Sequence, residues 1–141
     1  MPQEYLTESY INSHINSFKN DGVAYLVPKD VLRIYGRKFL GRLDGQFVMK
    51  RSELRTALRQ ANGNILKLEK ILGIDKGSWT GKTIVMIEVS DVEIINLRMP
   101  SGFETGTNPQ WLPGGKLPTG MNEAVCDRII LGNYKETEIW K

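Results

Sequence analysis

The chain has 141 residues, 40% of them apolar and 25% charged, with a formal net charge of +3, which suits one domain with room for a core. It holds no run of about 18 apolar residues, which excludes a membrane-spanning helix, and its first residues lack the apolar segment of a secretory signal. A single cysteine, Cys126, excludes an internal disulfide, and with only one histidine, His14, no Cys/His zinc site is expected.

Met1 to Leu6 read as a flexible arm ahead of one domain that fills the rest of the 141 residues. Thr7 is a fair N-cap, and Tyr10, Ile11, Ile15 and Phe18 then share one helical face until Asn20, Asp21 and Gly22 end the helix. His14 sits in that apolar stripe, four residues from both Tyr10 and Phe18. Two roles fit it: a core-edge imidazole held by a hydrogen bond, or the chain's only histidine general base or acid. Val23 to Val27 is a β-branched apolar run that predicts a buried strand ended by Pro28. Asp30 is placed to cap a short helix that stops at Gly36, with Arg33 and Arg37 four residues apart.

Asp44 and Gly45 signal a turn, Gln46 to Met49 a strand, and Ser52 the cap of a helix with Leu54, Leu58 and Ala61 facing inward. Arg51, Arg55 and Arg59 recur every four residues on another face of that helix. Asn64 caps the next helix and Gly73 closes it. The GSWTGKT that follows only imitates a phosphate loop. That motif needs a glycine where Lys76 stands, and an apolar strand before it, so a turn is expected.

Thr83 to Val89 (TIVMIEV) is the clearest strand, apolar at nearly every position as an interior strand is. A short turn or helix over Asp91 to Ile95 leads to Leu97 to Met99, which carries Arg98 to the mouth of a long loop. Four of the six prolines (Pro100, Pro109, Pro113, Pro118) lie in that loop among five glycines, so neither a helix nor a central strand can form there. Phe103, Trp111, Leu112 and Leu117 give it apolar surface to bury, and long loops of this kind tend to be functional. Strand pattern resumes from Glu123 to Ile130, and Tyr134 to Trp140 alternates as an edge strand does. The expected class is α+β: N-terminal helices packed on a mainly antiparallel sheet formed by the C-terminal half, with a long Gly/Pro-rich loop.

Charge is uneven along the chain. Residues 29–70 hold eleven Lys and Arg against four Asp and Glu, whereas the segments on either side are slightly acidic. Such a basic belt favours polyanions, and arginine forks suit phosphates; Arg33, Arg37, Arg42, Arg51, Arg55 and Arg59 are the candidate RNA-binding residues. RNA cleavage without a metal or cofactor needs a base, a cation for the phosphorane-like charge, and positioning groups. His14 or Glu104 could serve as base, Arg42, Arg98 or Lys116 as cation, and Ser101, Thr107 or Thr119 as positioners. Attack on a nicotinamide nucleotide is the alternative, with Arg42 clamping the diphosphate, Trp111 stacking, and Glu104 or Glu123 facing the ribose. A binding module without chemistry is the third.

The stretches GRLDGQFVM, LEKILGIDKGSW and LRMPSGFETGTNPQWLPGGKLPTGMNEAV resemble C-terminal effector domains of bacterial polymorphic toxins, of the contact-dependent inhibition and Rhs types. That resemblance implies a domain delivered by a larger secreted protein into the cytoplasm of a neighbouring cell, with a cognate immunity protein as partner. It also implies tRNA or rRNA cleavage, in some cases with a translation factor of the target cell, or else ADP-ribosyl transfer or NAD hydrolysis.

Overall fold

The computed structural model describes residues 8–41, 45–100 and 121–140. In chain order the elements are α1 (Glu8–Asn16), β1 (Val23–Pro28), α2 (Lys29–Tyr35), β2 (Phe39–Leu40), β3 (Gln46–Lys50), α3 (Arg51–Ala61) and α4 (Ile65–Leu72). There follow β4 (Ile84–Val89), a 3-10 turn (Val92–Ile94), β5 (Glu123–Cys126), β6 (Ile129–Ile130) and β7 (Lys135–Glu138). The fold is α+β, with its α-helices in the first half. Five strands form an antiparallel sheet in the order β5-β3-β1-β4-β7, and β2 pairs with β6 in a separate ribbon. Among the described residues no helix is long and apolar enough to cross a membrane.

β1 is the middle strand because its VAYLVP sequence is apolar on both faces. It pairs with β4 along its whole length, from Val23 opposite Val89 to Pro28 opposite Ile84. The proline is tolerated at the strand's last position, where the Lys29 N–H carries the ladder on to the Thr83 carbonyl at 2.8 Å. Successive residues point to opposite sides. Val23, Tyr25, Val85, Ile87, Ala124 and Cys126 join one core with Phe18, Leu32, and Leu40 and Ile129 of the ribbon. Ala24, Leu26, Ile84 and Met86 join a second core with Leu54, Ala57 and Ala61 of α3, Leu68 and Leu72 of α4, and Trp79. The sheet is therefore covered on both sides.

Two helix starts differ from the sequence expectation. Ser52 does not cap α3, which begins at Arg51 after Lys50. Asp21 does so from the turn after α1: its carboxylate accepts the Ser52 N–H at 3.2 Å and the Ser52 hydroxyl at 2.5 Å. Gly22 makes that approach possible, since a Cβ there (φ +85°) would stand 2.8 Å from the Val89 carbonyl oxygen. Asp30 does not cap α2, which has no side-chain cap; it pairs instead with Lys82 at 3.1 Å. The caps read at Asn64 and Gly73 are in place: Asn64 accepts the Lys67 N–H at 3.1 Å and Gly73 is left-handed.

The turn over 75–82 is held from within. Glu69, 1% exposed, accepts the Gly77 N–H at 2.8 Å and the Trp79 N–H at 2.7 Å through its two carboxylate oxygens. Amides that a phosphate loop would aim at its ligand are here bound to the chain's own carboxylate.

Burial pushes the Cys126 thiol up to about 12, the Arg98 charge opposing it and Asp127 adding to it. Burial, followed by the neighbouring Cys126, also raises the Tyr25 phenol. Both groups hold protons in the folded chain that the unfolded chain releases at lower pH, so stability falls as pH rises from about 9 towards 12. Urea unfolding at about pH 10 is expected to show about 2 kcal/mol less stability than at about pH 8, most of it through the thiol. A Cys126→Ala variant that keeps the full alkaline loss would exclude the thiol as its source.

Candidate functional site

α3 presents two adjacent rows of side chains at four-residue spacing, Arg51-Arg55-Arg59 and Ser52-Thr56-Gln60. The middle arginine is anchored: Arg55 Nη2 donates to Oε2 of Glu88 at 2.5 Å, and Glu88 is buried on β4. The outer two bond to hydroxyls, Arg51 to Ser90 Oγ at 3.3 Å and Arg59 to Thr56 Oγ1 at 3.0 Å. Among the described residues neither Arg51 nor Arg59 is paired with a carboxylate. The second row borders an open cleft of about 400 Å³, lined by Ser52, Glu53, Thr56, Gln60, Ile71 and Met121. That volume is within the range of small-ligand sites, and hydroxyl, amide and carboxylate groups face it.

The cleft lies beside Met121 and Asn122, which lead into β5. Glu53 accepts the Asn122 N–H at 2.8 Å and the Asn122 side-chain amide at 2.9 Å, fixing the approach to β5. Arg98 and Val125 exchange two backbone hydrogen bonds of 2.8 Å, so the segment around Arg98 is tied to β5. The Arg98 guanidinium donates to Asp127 at 2.9 Å and to the Asn96 carbonyl at 3.0 Å. His14 reaches the same strand from α1: its Nε2–H donates to the Glu123 carbonyl at 2.7 Å. The buried ring stacks on Tyr10, with centroids 5.9 Å apart, and meets Phe18 edge-on at 5.3 Å.

Two of the catalytic candidates, His14 and Arg98, are thus brought to β5. Ser101, Glu104, Thr107 and Lys116, with Trp111, Thr119 and Arg42, lie outside the described residues. The remaining arginines fall into two groups, on elements that pack against opposite faces of the sheet. Arg33, exposed on α2, and Arg37 accompany the first core; Arg51, Arg55 and Arg59 accompany the second. Arg37 is clamped by both oxygens of Glu136, at 2.7 and 3.1 Å.

Sequence reasoning missed two carboxylates. Glu88 carried a visible signal, as the one charged residue in TIVMIEV. Glu53 carried none, because nothing local ties it to Asn122. No protein-family model, curated protein or solved structure matches the chain.

Proposed function

We propose that this chain is a toxin-type ribonuclease that cuts tRNA or rRNA without a metal or cofactor. The observation that carries the reading is the outer pair of the α3 row. Among the described residues Arg51 and Arg59 keep their charge free of carboxylates, beside a cleft of mixed polar and apolar lining that Met121 borders. RNA phosphates displace counterions from such a row, and arginine forks hold them in a fixed orientation. Cleavage then consists of attack by a ribose 2′-oxygen on the adjacent phosphorus with departure of the 5′-oxygen. A base takes the 2′-OH proton and a cation stabilises the developing charge.

Glu104 is the first candidate for the base, because Nε2 of His14 is committed to a backbone carbonyl. Lys116 and Arg98 are the candidate cations, and Ser101 and Thr107 the positioning hydroxyls. The same reading includes a cognate immunity protein as partner, delivery to the cytoplasm of a target cell, and a translation factor of that cell as an aid to cleavage.

The test is incubation of the purified chain with total bacterial RNA in EDTA, with and without cell extract, while NAD is followed in parallel. Discrete tRNA or rRNA fragments with NAD intact are expected. NAD loss with intact RNA would overturn the reading in favour of ADP-ribosyl transfer or NAD hydrolysis. The double reversal Arg51→Glu/Arg59→Glu is expected to flatten the dependence of log K on log salt by about 1.5 to 2 for RNA binding, the share of two phosphate contacts. An unchanged slope would exclude the α3 row as the track. Reversal at Arg55 is expected to act on folding instead, since it sets a carboxylate against buried Glu88.

A further inference from the structure

The β2–β6 ribbon has two faces of opposite fate. Leu40 and Ile129, directly paired, are buried in the first core, while the next pair, Phe39 and Ile130, faces outward at 43% and 49% exposure. Leu131, 60% exposed, follows in the same ribbon through its N–H to the Lys38 carbonyl at 2.9 Å. The end of α2, just upstream of β2, adds Ile34 and Tyr35, the two most exposed of the large apolar residues among those described. Scattered exposed apolar residues need no explanation, but a group of this kind on adjoining segments does.

Cations surround the group. Lys38 Nζ lies 5.8 Å and Arg128 Cζ 4.9 Å from the Phe39 ring centre, and Arg33 is exposed on α2. Among the described residues none of the three is paired with a carboxylate. Nearby acids are committed elsewhere: Asp127 to Arg98, Glu136 to Arg37 and Asp30 to Lys82.

We propose that this surface, the outer face of the β2–β6 ribbon with the end of α2, docks an acidic protein segment that places apolar side chains between carboxylates. Apolar anchors inside a charged rim are the anatomy of a protein interface, and the rim fixes the sign of the partner. A nucleic acid fits less well. Ile34, Ile130 and Leu131 offer neither a hydrogen bond nor a charge to a base or a phosphate, and the Phe39 ring already holds two cations where a base would stack. A second copy in a twofold contact would set the same cations against one another. The surface belongs to the side of the sheet opposite the α3 cleft, so the proposal stands independently of RNA cleavage.

The test is selection of binders to the intact chain from a displayed random-peptide library, followed by affinity measurement on the enriched peptides. Enrichment of acidic peptides with interspersed apolar residues is expected. Their binding should weaken about tenfold or more in Lys38→Glu/Arg128→Glu and in Phe39→Ser, and be unaffected in Arg51→Glu/Arg59→Glu. Enriched peptides without that pattern, or equal affinity for the Lys38→Glu/Arg128→Glu chain, would overturn the proposal. So would poly(U) binding that depends on Lys38 and Arg128, which would give the surface to nucleic acid. A concentration-dependent dimer abolished by Phe39→Ser would give it to a second copy.

Discussion

Replacing Glu69 by alanine is expected to cost about 3 kcal/mol of folding stability. Its two carboxylate oxygens are the acceptors for the Gly77 and Trp79 amides, and Trp79 is 8% exposed in the second core. Hydrogen bonds to a charged group contribute about 1.5–3 kcal/mol each, and a buried donor left without an acceptor costs a similar amount. Losing the carboxylate also removes the cost of burying its charge, so the two losses do not simply add. Glu69→Gln keeps one acceptor oxygen and should lose about half as much. Equilibrium unfolding in urea measures both, as a shift in midpoint at constant slope. A loss below about 1 kcal/mol in the alanine variant would show that the 75–82 turn finds other acceptors and is not anchored through Glu69.

His14→Ala is expected to cost about as much, by a different route. The variant empties the space between Tyr10 and Phe18 and removes the His14 hydrogen bond to the Glu123 carbonyl at the start of β5. Truncating a buried ring and losing a buried hydrogen bond together amount to about 3 kcal/mol. Lost cleavage in the alanine variant would therefore not reveal chemistry. His14→Gln separates the roles, because a glutamine amide can donate to the same carbonyl. If His14 positions β5, the glutamine variant should cleave RNA within about tenfold of the parent while the alanine variant melts early. A folded glutamine variant slower by more than about a hundredfold would return the imidazole to proton transfer.

The sequence revealed those parts of the fold that local pattern decides. Apolar continuity marked β1 and β4 as interior strands, and Asn64 and Gly73 marked both ends of α4, because strand burial and helix capping are written in neighbouring residues. Alternation marked β7 as an edge strand, and it does close one side of the sheet. Where a distant residue decides, the local reading went astray. Ser52 had the right chemistry for a cap, but Asp21 arrives from the turn after α1 and takes its N–H. The arginine row of α3 was legible as a periodicity, whereas the pairing of its middle member with the buried Glu88, far off in sequence, was not. Counting charge along the chain joined Arg33 to Arg59 in one belt, but the chain passes from one face of the sheet to the other between α2 and α3. Of the candidate site, the Arg98–Val125 bridge and the Glu53–Asn122 clamp were not legible, because each joins residues far apart in sequence.

The strand order also fixes when the domain can close during synthesis. Both outer strands, β5 and β7, come from residues 123–138, whereas the strands they cover, β3 and β4, are made earlier. Until that last segment leaves the ribosome, the nascent chain carries two open strand edges that invite pairing with other chains. Folding to completion is thus deferred until residues 123–138 have emerged, and polypeptides interrupted before Glu123 should aggregate rather than persist as partly folded domains.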